Sequence, residues 1–201
     1  MCGLKVFAIA LTAGCAACAA AKAAHDPASS VKRDSGPARA ATARESGSAS
    51  RPAGQTDGFE QEILASHNRY RAAAGVPPLR WDPELAASAR AFAPSLVAAG
   101  DIIHSARATR PGQGENLWMG SAGGESARRA TENWVAERRN FRPGTFPNVS
   151  KTRDWNDVSH YSQMIWPATT RLGCARSHGG AYDFVVCRYS PSGNRDGQRV
   201  P

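Results

Sequence analysis

Only two cysteines follow residue 18 in this 201-residue chain, which excludes a disulfide-dense miniprotein. Lysine is scarce as well: Lys5, Lys22, Lys32 and Lys151 stand against 21 arginines. Arg and Ala are enriched together, the bias of a GC-rich genome, so the arginine excess by itself is no functional sign. No basic stretch is interleaved with stacking aromatics, and nucleic acid is excluded as a partner on that ground. The apolar run at residues 6–13 falls far below the ~20 residues of a membrane-spanning helix. H-E-x-x-H and G-x-S-x-G are both absent, and with them two common hydrolase signatures.

What is present divides the chain into three parts. Residues 1–24 have the form of an export signal, with Lys5 as a thin positive start, the short apolar run, and Ala21-Lys22-Ala23 as an A-x-A cleavage site. A second exit is equally legible. Leu11-Thr12-Ala13-Gly14-Cys15 resembles a bacterial lipoprotein box, in which Cys15 would carry the lipid and anchor the protein to the outer membrane. Either exit predicts a secreted or extracytoplasmic protein, touching a membrane only through that anchor. Residues 25–56 are rich in Ala, Ser, Pro, Gly and Arg and contain no aromatic residue, so they are expected to be a disordered linker. From residue 57 to 201 the pattern is that of a folded domain. From Gly58 onward, 18 basic and 13 acidic residues leave it at net +5.

The domain begins with Asp57 and Glu60 spaced as a capping box. Phe59, Ile63, His67, Tyr70 and Ala74 then share one face of a first helix. Asp82 and Pro83 open a second helix as N-cap and first residue, and Pro94 is expected to kink or end it. A third helix is predicted over residues 125–141, with Ala127, Ala130, Trp134 and Phe141 inward. Two strand-like runs, 171–176 and 182–189, surround Gly179-Gly180-Ala181. A two-residue turn at Gly180-Ala181 pairs residues whose numbers sum to 361. Cys174 and Cys187 satisfy that sum, and opposed cysteines on adjacent strands are within disulfide reach.

Glu137 lies three residues after Trp134 and four before Phe141, on the face expected to be buried. A carboxylate there needs a basic partner or a metal. His104 follows the short apolar run Ile102-Ile103 and is expected to end a strand. His160 opens a segment in which Tyr161 and Ile165 have helical spacing. Glu115 follows a glycine-rich loop. Taken alone, a histidine at either place is more often structural, Glu137 is also compatible with a salt bridge to a core-edge arginine, and G-E-N by itself is a weak signal.

Five motifs stand together in order: Ser66-His67-Asn68-Arg69-Tyr70-Arg71, Gly114-Glu115-Asn116-Leu117-Trp118, His160-Tyr161-Ser162-Gln163-Met164-Ile165-Trp166, Leu172-Gly173-Cys174-Ala175, and Val186-Cys187-Arg188-Tyr189-Ser190-Pro191-Ser192-Gly193-Asn194. This series resembles the CAP superfamily of cysteine-rich secretory, antigen five and pathogenesis-related class one proteins, as a bacterial member close to the plant branch. The resemblance implies an α+β fold, a three-layer α-β-α sandwich with a central antiparallel sheet and an open cleft. It places two His and two Glu in that cleft, on His104, Glu115, Glu137 and His160, as a set able to take Zn²⁺ or another divalent metal. His67 and Asn68 are expected to be structural, and His178 exposed beside the hairpin turn. Three features depart from the family pattern. Ser159 replaces a Gly or charged residue, Arg195 follows Gly193-Asn194 where an aromatic or aliphatic residue is usual, and most extra disulfides are absent. The implied function is a secreted binding module for sterol, lipid or another small apolar ligand, or for an envelope component. The alternative is a metal-dependent hydrolase with His104 and His160 on Zn²⁺ and Glu115 or Glu137 as general base.

Overall fold

The structure is a computed structural model that describes residues 58–201 except residue 124. The export signal, Cys15, the 25–56 linker and the Asp57 cap lie outside the described residues.

Helix α1 (Gly58–Ala73) buries Ile63, His67 and Arg71 as one stripe. Strand β1 (Arg80–Trp81) leads directly into α2 (Pro83–Ala99). The start of α2 is fixed as expected: the Asp82 carboxylate accepts from Glu84 N–H at 2.9 Å and Leu85 N–H at 3.0 Å, and Pro83 needs no partner at the first position. Pro94 does not break this helix, which continues to Ala99. Pro94 and Arg90 both lie on the exposed side, so the carbonyl that loses its donor faces water rather than core.

Strands β2 (Gly114–Ser121), β4 (Arg171–Gly179) and β5 (Tyr182–Ser190) form the centre of a four-stranded sheet in the order β1-β4-β5-β2. The expected antiparallel sheet is therefore mixed at one edge, because β1 runs parallel to β4. Asp82 N–H bonds to Leu172 O at 2.8 Å and continues that pairing into the cap of α2, which obliges β1 to share the direction of β4. Gly173 permits the approach: a Cβ there would stand 2.2 Å from the Ala86 backbone nitrogen.

Alternate residues of β5 build the two flanking layers. Phe184 and Val186 pack with Ala89, Ala93 and Leu96 of α2. Val185, Cys187 and Tyr189 face the other layer, made by α1, α3 (Ser126–Ala136) and α4 (Ser159–Met164). The result is the α-β-α sandwich. Short strands β3 (Gly144–Thr145) and β6 (Arg199–Val200) pair separately. The third helix stops earlier than its periodicity suggests: α3 ends at Ala136, and Glu137–Arg139 form a tighter 3₁₀ turn.

The hairpin has the expected register, with Cys174 opposite Cys187 and a disulfide between them. Closing so short a loop limits the unfolded chain and is worth roughly 3 kcal/mol in the entropic model. Cys174→Ala with Cys187→Ala should lower the urea midpoint by a corresponding amount while leaving the circular dichroism spectrum native, since both strands remain paired along their length. Labelling of Cys174 and Cys187 as free thiols in the native wild-type protein would refute the bridge.

Candidate functional site

The cleft lies where β2 begins, between the segment 104–110, the start of α4 and the 192–194 turn. Glu115 is on the face of β2 that carries Leu117, toward α2, while Asn116 is on the face that carries Trp118. Glu115 is fully enclosed, and its acceptors are all used. Oε1 accepts from His104 Nδ1 at 2.6 Å and Ser105 N–H at 3.1 Å, and Oε2 accepts from the Ser105 hydroxyl at 3.0 Å. Two guanidiniums stand beside it, Arg188 at 3.1 Å and Arg110 at 3.7 Å. Burial pushes the Glu115 carboxyl up, but the His104 bond, Arg188, Ser105 and Arg110 together outweigh burial and hold it below its ordinary value. Burial in turn lowers Arg110 and Arg188, partly offset by the Glu115 charge.

His104 does not end a strand. It sits in an irregular segment with its side chain 56% exposed, and Ile102 and Ile103 before it are exposed too. The apolar pair is held at the surface because the following residues, His104 and Ser105, are tied down by Glu115.

The second pair is built on the opposite layer. Glu137 Oε1 accepts from His160 Nδ1 at 2.6 Å. Its Oε2 accepts from the backbone N–H groups of His160 at 2.9 Å and Tyr161 at 3.0 Å. One carboxylate thus orients the imidazole and satisfies two free donors at the start of α4. This use explains why α3 tightens at Glu137. The side chain is half-buried on the edge of the core rather than within it. His160 stacks on Trp134, with ring centroids 6.1 Å apart and planes 17° from parallel. Trp134 is itself fixed by its Nε1–H bond to Leu117 O at 3.0 Å.

His104, Glu115 and His160 line one cavity of about 330 Å³, and Glu137 reaches it only through His160. Asn116 ties the layers together by donating to His160 O at 3.2 Å. Among the described residues no three His, Cys, Asp or Glu side chains form a group able to hold a metal ion. The four residues form two carboxylate–imidazole pairs across one cleft. Neither Nε2 has a hydrogen-bond partner among the described residues.

The remaining histidines are as expected. His67 bonds Ile63 O and Tyr189 Oη inside the core, and Asn68 exchanges two hydrogen bonds with the backbone of Leu79. His178 is exposed and paired with Asp183 at 3.0 Å. Ser105, Arg110, Arg188 and Trp134 were not among the sequence candidates for the site. Arg188 carried a readable signal: it falls among Val185, Val186, Cys187 and Tyr189, all buried, and an arginine inside such a strand requires enclosed acceptors, a carboxylate being the most direct. Its register partner on β2 is Glu115.

Comparison with known proteins agrees with this architecture. Residues 64–189 match the Cysteine-rich secretory protein family, CAP. The chain is 38% identical over 141 residues to "Pathogenesis-related protein PR-1 type" of Sambucus nigra, covering 69% of this chain and 80% of that protein. Among solved structures it superposes on "NaASP2 with Zn2+" with a TM-score of 0.63 and 25% identity, covering 74% of this chain and 87% of that one. Na-ASP-1 gives a TM-score of 0.62 and 27% identity over 72% of this chain, which spans only 41% of that longer protein. With a matched family core, a PR-1 relative and the same sandwich, the chain belongs to the CAP superfamily.

Proposed function

We propose that this chain is an exported CAP-domain binding module whose cleft presents a divalent-metal position, with zinc the best-matched ion. The observation that carries this reading is the pairing of each imidazole Nδ1 with its own carboxylate at 2.6 Å. A carboxylate on Nδ1 fixes the neutral tautomer with its lone pair on Nε2, the usual arrangement behind a histidine ligand. His104 and His160 would hold the ion, with Glu115 and Glu137 orienting them rather than adding ligands. The donor chemistry suits Zn²⁺ better than Mg²⁺ or Ca²⁺, which prefer oxygen. A bound ion would supply a Lewis-acidic point for a polar group of a ligand.

The hydrolase alternative is the weaker reading. Glu115 and Glu137 already accept from backbone and imidazole donors, so neither is free as a general base. Export is supported by the secreted relatives and by the export-signal form of residues 1–24; anchoring through Cys15 is a further proposal. A sterol, lipid or other small apolar ligand, or an envelope component, is the partner that the family resemblance suggests. The walls of this cleft are largely polar, so an apolar ligand would sit elsewhere on the domain.

Calorimetry with zinc at neutral pH tests the metal position. Wild type should bind one ion, His104→Ala with His160→Ala should bind none, and Glu137→Gln should bind about 10- to 100-fold more weakly. Acidification should weaken uptake, because a protonated imidazole cannot ligate. Equal binding by the double variant, or none by wild type, defeats the reading.

A further inference from the structure

A second and larger cavity, about 890 Å³, adjoins the histidine cleft and shares Arg107, Arg110 and Trp155 with it. One wall is the loop that carries Arg195, the residue that departs from the family pattern; Ser192, Gly193 and Asn194 of this loop also line the cleft. That loop is pinned at both ends. Gly193 N–H bonds Gln163 Oε1 at 2.8 Å, and Asn194 accepts from the Ser162 hydroxyl at 2.7 Å and donates to Ser159 O at 2.8 Å. On the other side Gly197 N–H bonds Phe146 O at 3.0 Å, and Phe146 N–H bonds Gln198 O at 2.9 Å. Arg195 is therefore presented on a fixed turn.

Three guanidiniums line the cavity, Arg107, Arg110 and Arg195, against the single carboxylate of Asp196. Arg110 is occupied by Ser105, Gln113 O and Glu115. Arg107 and Arg195 are exposed and make no ion pair or side-chain hydrogen bond among the described residues. Two unpaired guanidiniums in one concave site attract an anion, and their planar forks match a carboxylate. Two further features restrict what bears that carboxylate. Gln113 lines the wall, and its buried amide oxygen has no donor among the described residues, so a small rotation of that side chain would let it accept from a ligand hydroxyl. Trp155 offers a ring held edge-on by Phe146 at 5.2 Å, which is backed by Trp166 at 5.9 Å. Beyond Phe146, Pro147 and Trp155 the wall is polar, giving no channel for an acyl chain.

We infer that this cavity binds an acidic saccharide, with sugar carboxylates on Arg107 and Arg195, a ring against Trp155 and hydroxyls toward Gln113. The volume is in the range of small-ligand sites and leaves room for more than one ring. Although the two cavities share a wall, neither His104 nor His160 lines this one, so binding should persist with zinc removed.

The test is calorimetry of the full mature chain, at low salt and with chelator present, using oligogalacturonate as probe. Wild type should bind it, and a neutral galactose oligosaccharide of equal length at least tenfold more weakly. Arg195→Ala should weaken binding about tenfold, and Arg107→Ala with Arg195→Ala about 100-fold, with unchanged melting temperature. Arg138→Ala with Arg139→Ala, exposed residues outside this cavity, should bind like wild type. No binding by wild type overturns the proposal. So does an equal loss in the Arg138/Arg139 variant, which would mark the attraction as general charge. Phosphatidylglycerol vesicles that bind and are released by Arg195→Ala, with no saccharide bound, would reassign the surface to lipid headgroups and equally overturn it.

Discussion

Arg71→Met should destabilise the domain by about 4 kcal/mol or more, the largest single-residue effect expected here. The Arg71 side chain is wholly buried, yet none of its partners is a carboxylate among the described residues. Its Nε donates to Pro77 O at 2.7 Å, Nη1 to Met164 O and Trp166 O at 2.9 Å each, and Nη2 to Thr169 O at 2.9 Å. Burial pushes its pKa down to about 10, with Tyr189 partly opposing, so it remains a cation at neutral pH. The fork serves as a clamp on four carbonyls, of which only Trp166 O has another donor among the described residues, the Thr169 N–H at 3.2 Å. Methionine nearly matches the volume but donates nothing, so the Pro77, Met164 and Thr169 carbonyls lose the Arg71 donor and Trp166 O keeps only its turn bond. Arg71→Lys should cost less, about 2 kcal/mol, since one ammonium cannot span the positions of a planar fork. Because Met164 ends α4 and Trp166 and Thr169 follow it, the clamp also holds the element that carries His160. Urea midpoints at neutral pH measure both effects. A loss below about 1 kcal/mol for Arg71→Met would mean that the carbonyls find other donors.

The same residue shows where sequence reading stops. Helix α1 was legible from Ile63 and His67, but Arg71 on that stripe would ordinarily be assigned to solvent. Its partners are backbone atoms of a segment remote in sequence, and side-chain pattern carries no record of them. The hairpin was legible to the residue because pairing in an antiparallel turn is arithmetic: fixing Gly180-Ala181 fixes Cys174 against Cys187. The start of α2 was legible because Asp82 and Pro83 act locally. Its passage through Pro94 was not, since the outcome depends on which side of the helix meets water. The site divides the same way. The family motifs pointed to His104, Glu115, Glu137 and His160, whereas Glu137 ending α3 in order to cap α4 is a tertiary event. The enclosure of Glu115 by Ser105, Arg110 and Arg188 likewise needs three segments folded together.

The other large effect is one of pH, and it resides in His67. Its Nδ1 lies 2.7 Å from Ile63 O, which can only accept, so the proton is on Nδ1. In the neutral ring Nε2 then accepts from the Tyr189 hydroxyl at 2.8 Å. Burial is the main force lowering its pKa; the Ile63 bond opposes this and the nearby Arg71 charge adds to it, leaving it at about 4 against 6.5 for the free residue. In unfolded chains the same imidazole takes its proton near 6.5. Between the two values the unfolded state therefore binds more protons than the folded state, and stability rises with pH. The contribution is complete above about 6.5, is lost progressively on acidification toward 4, and amounts to about 3 kcal/mol over that window. Glu115 acts in the same direction but lower: with its folded pKa held below 4.5, its share is lost only as pH falls through the carboxylate range. The two are separable by urea unfolding measured from pH 7.5 down to 4 on wild type and on His67→Gln. Glutamine can still meet Tyr189 but does not titrate, so the variant should start less stable and show a flatter pH dependence. The curves should converge as the pH approaches 4. Parallel curves would mean that His67 is protonated in the folded state as readily as in the unfolded one, and the buried neutral imidazole would have to be abandoned.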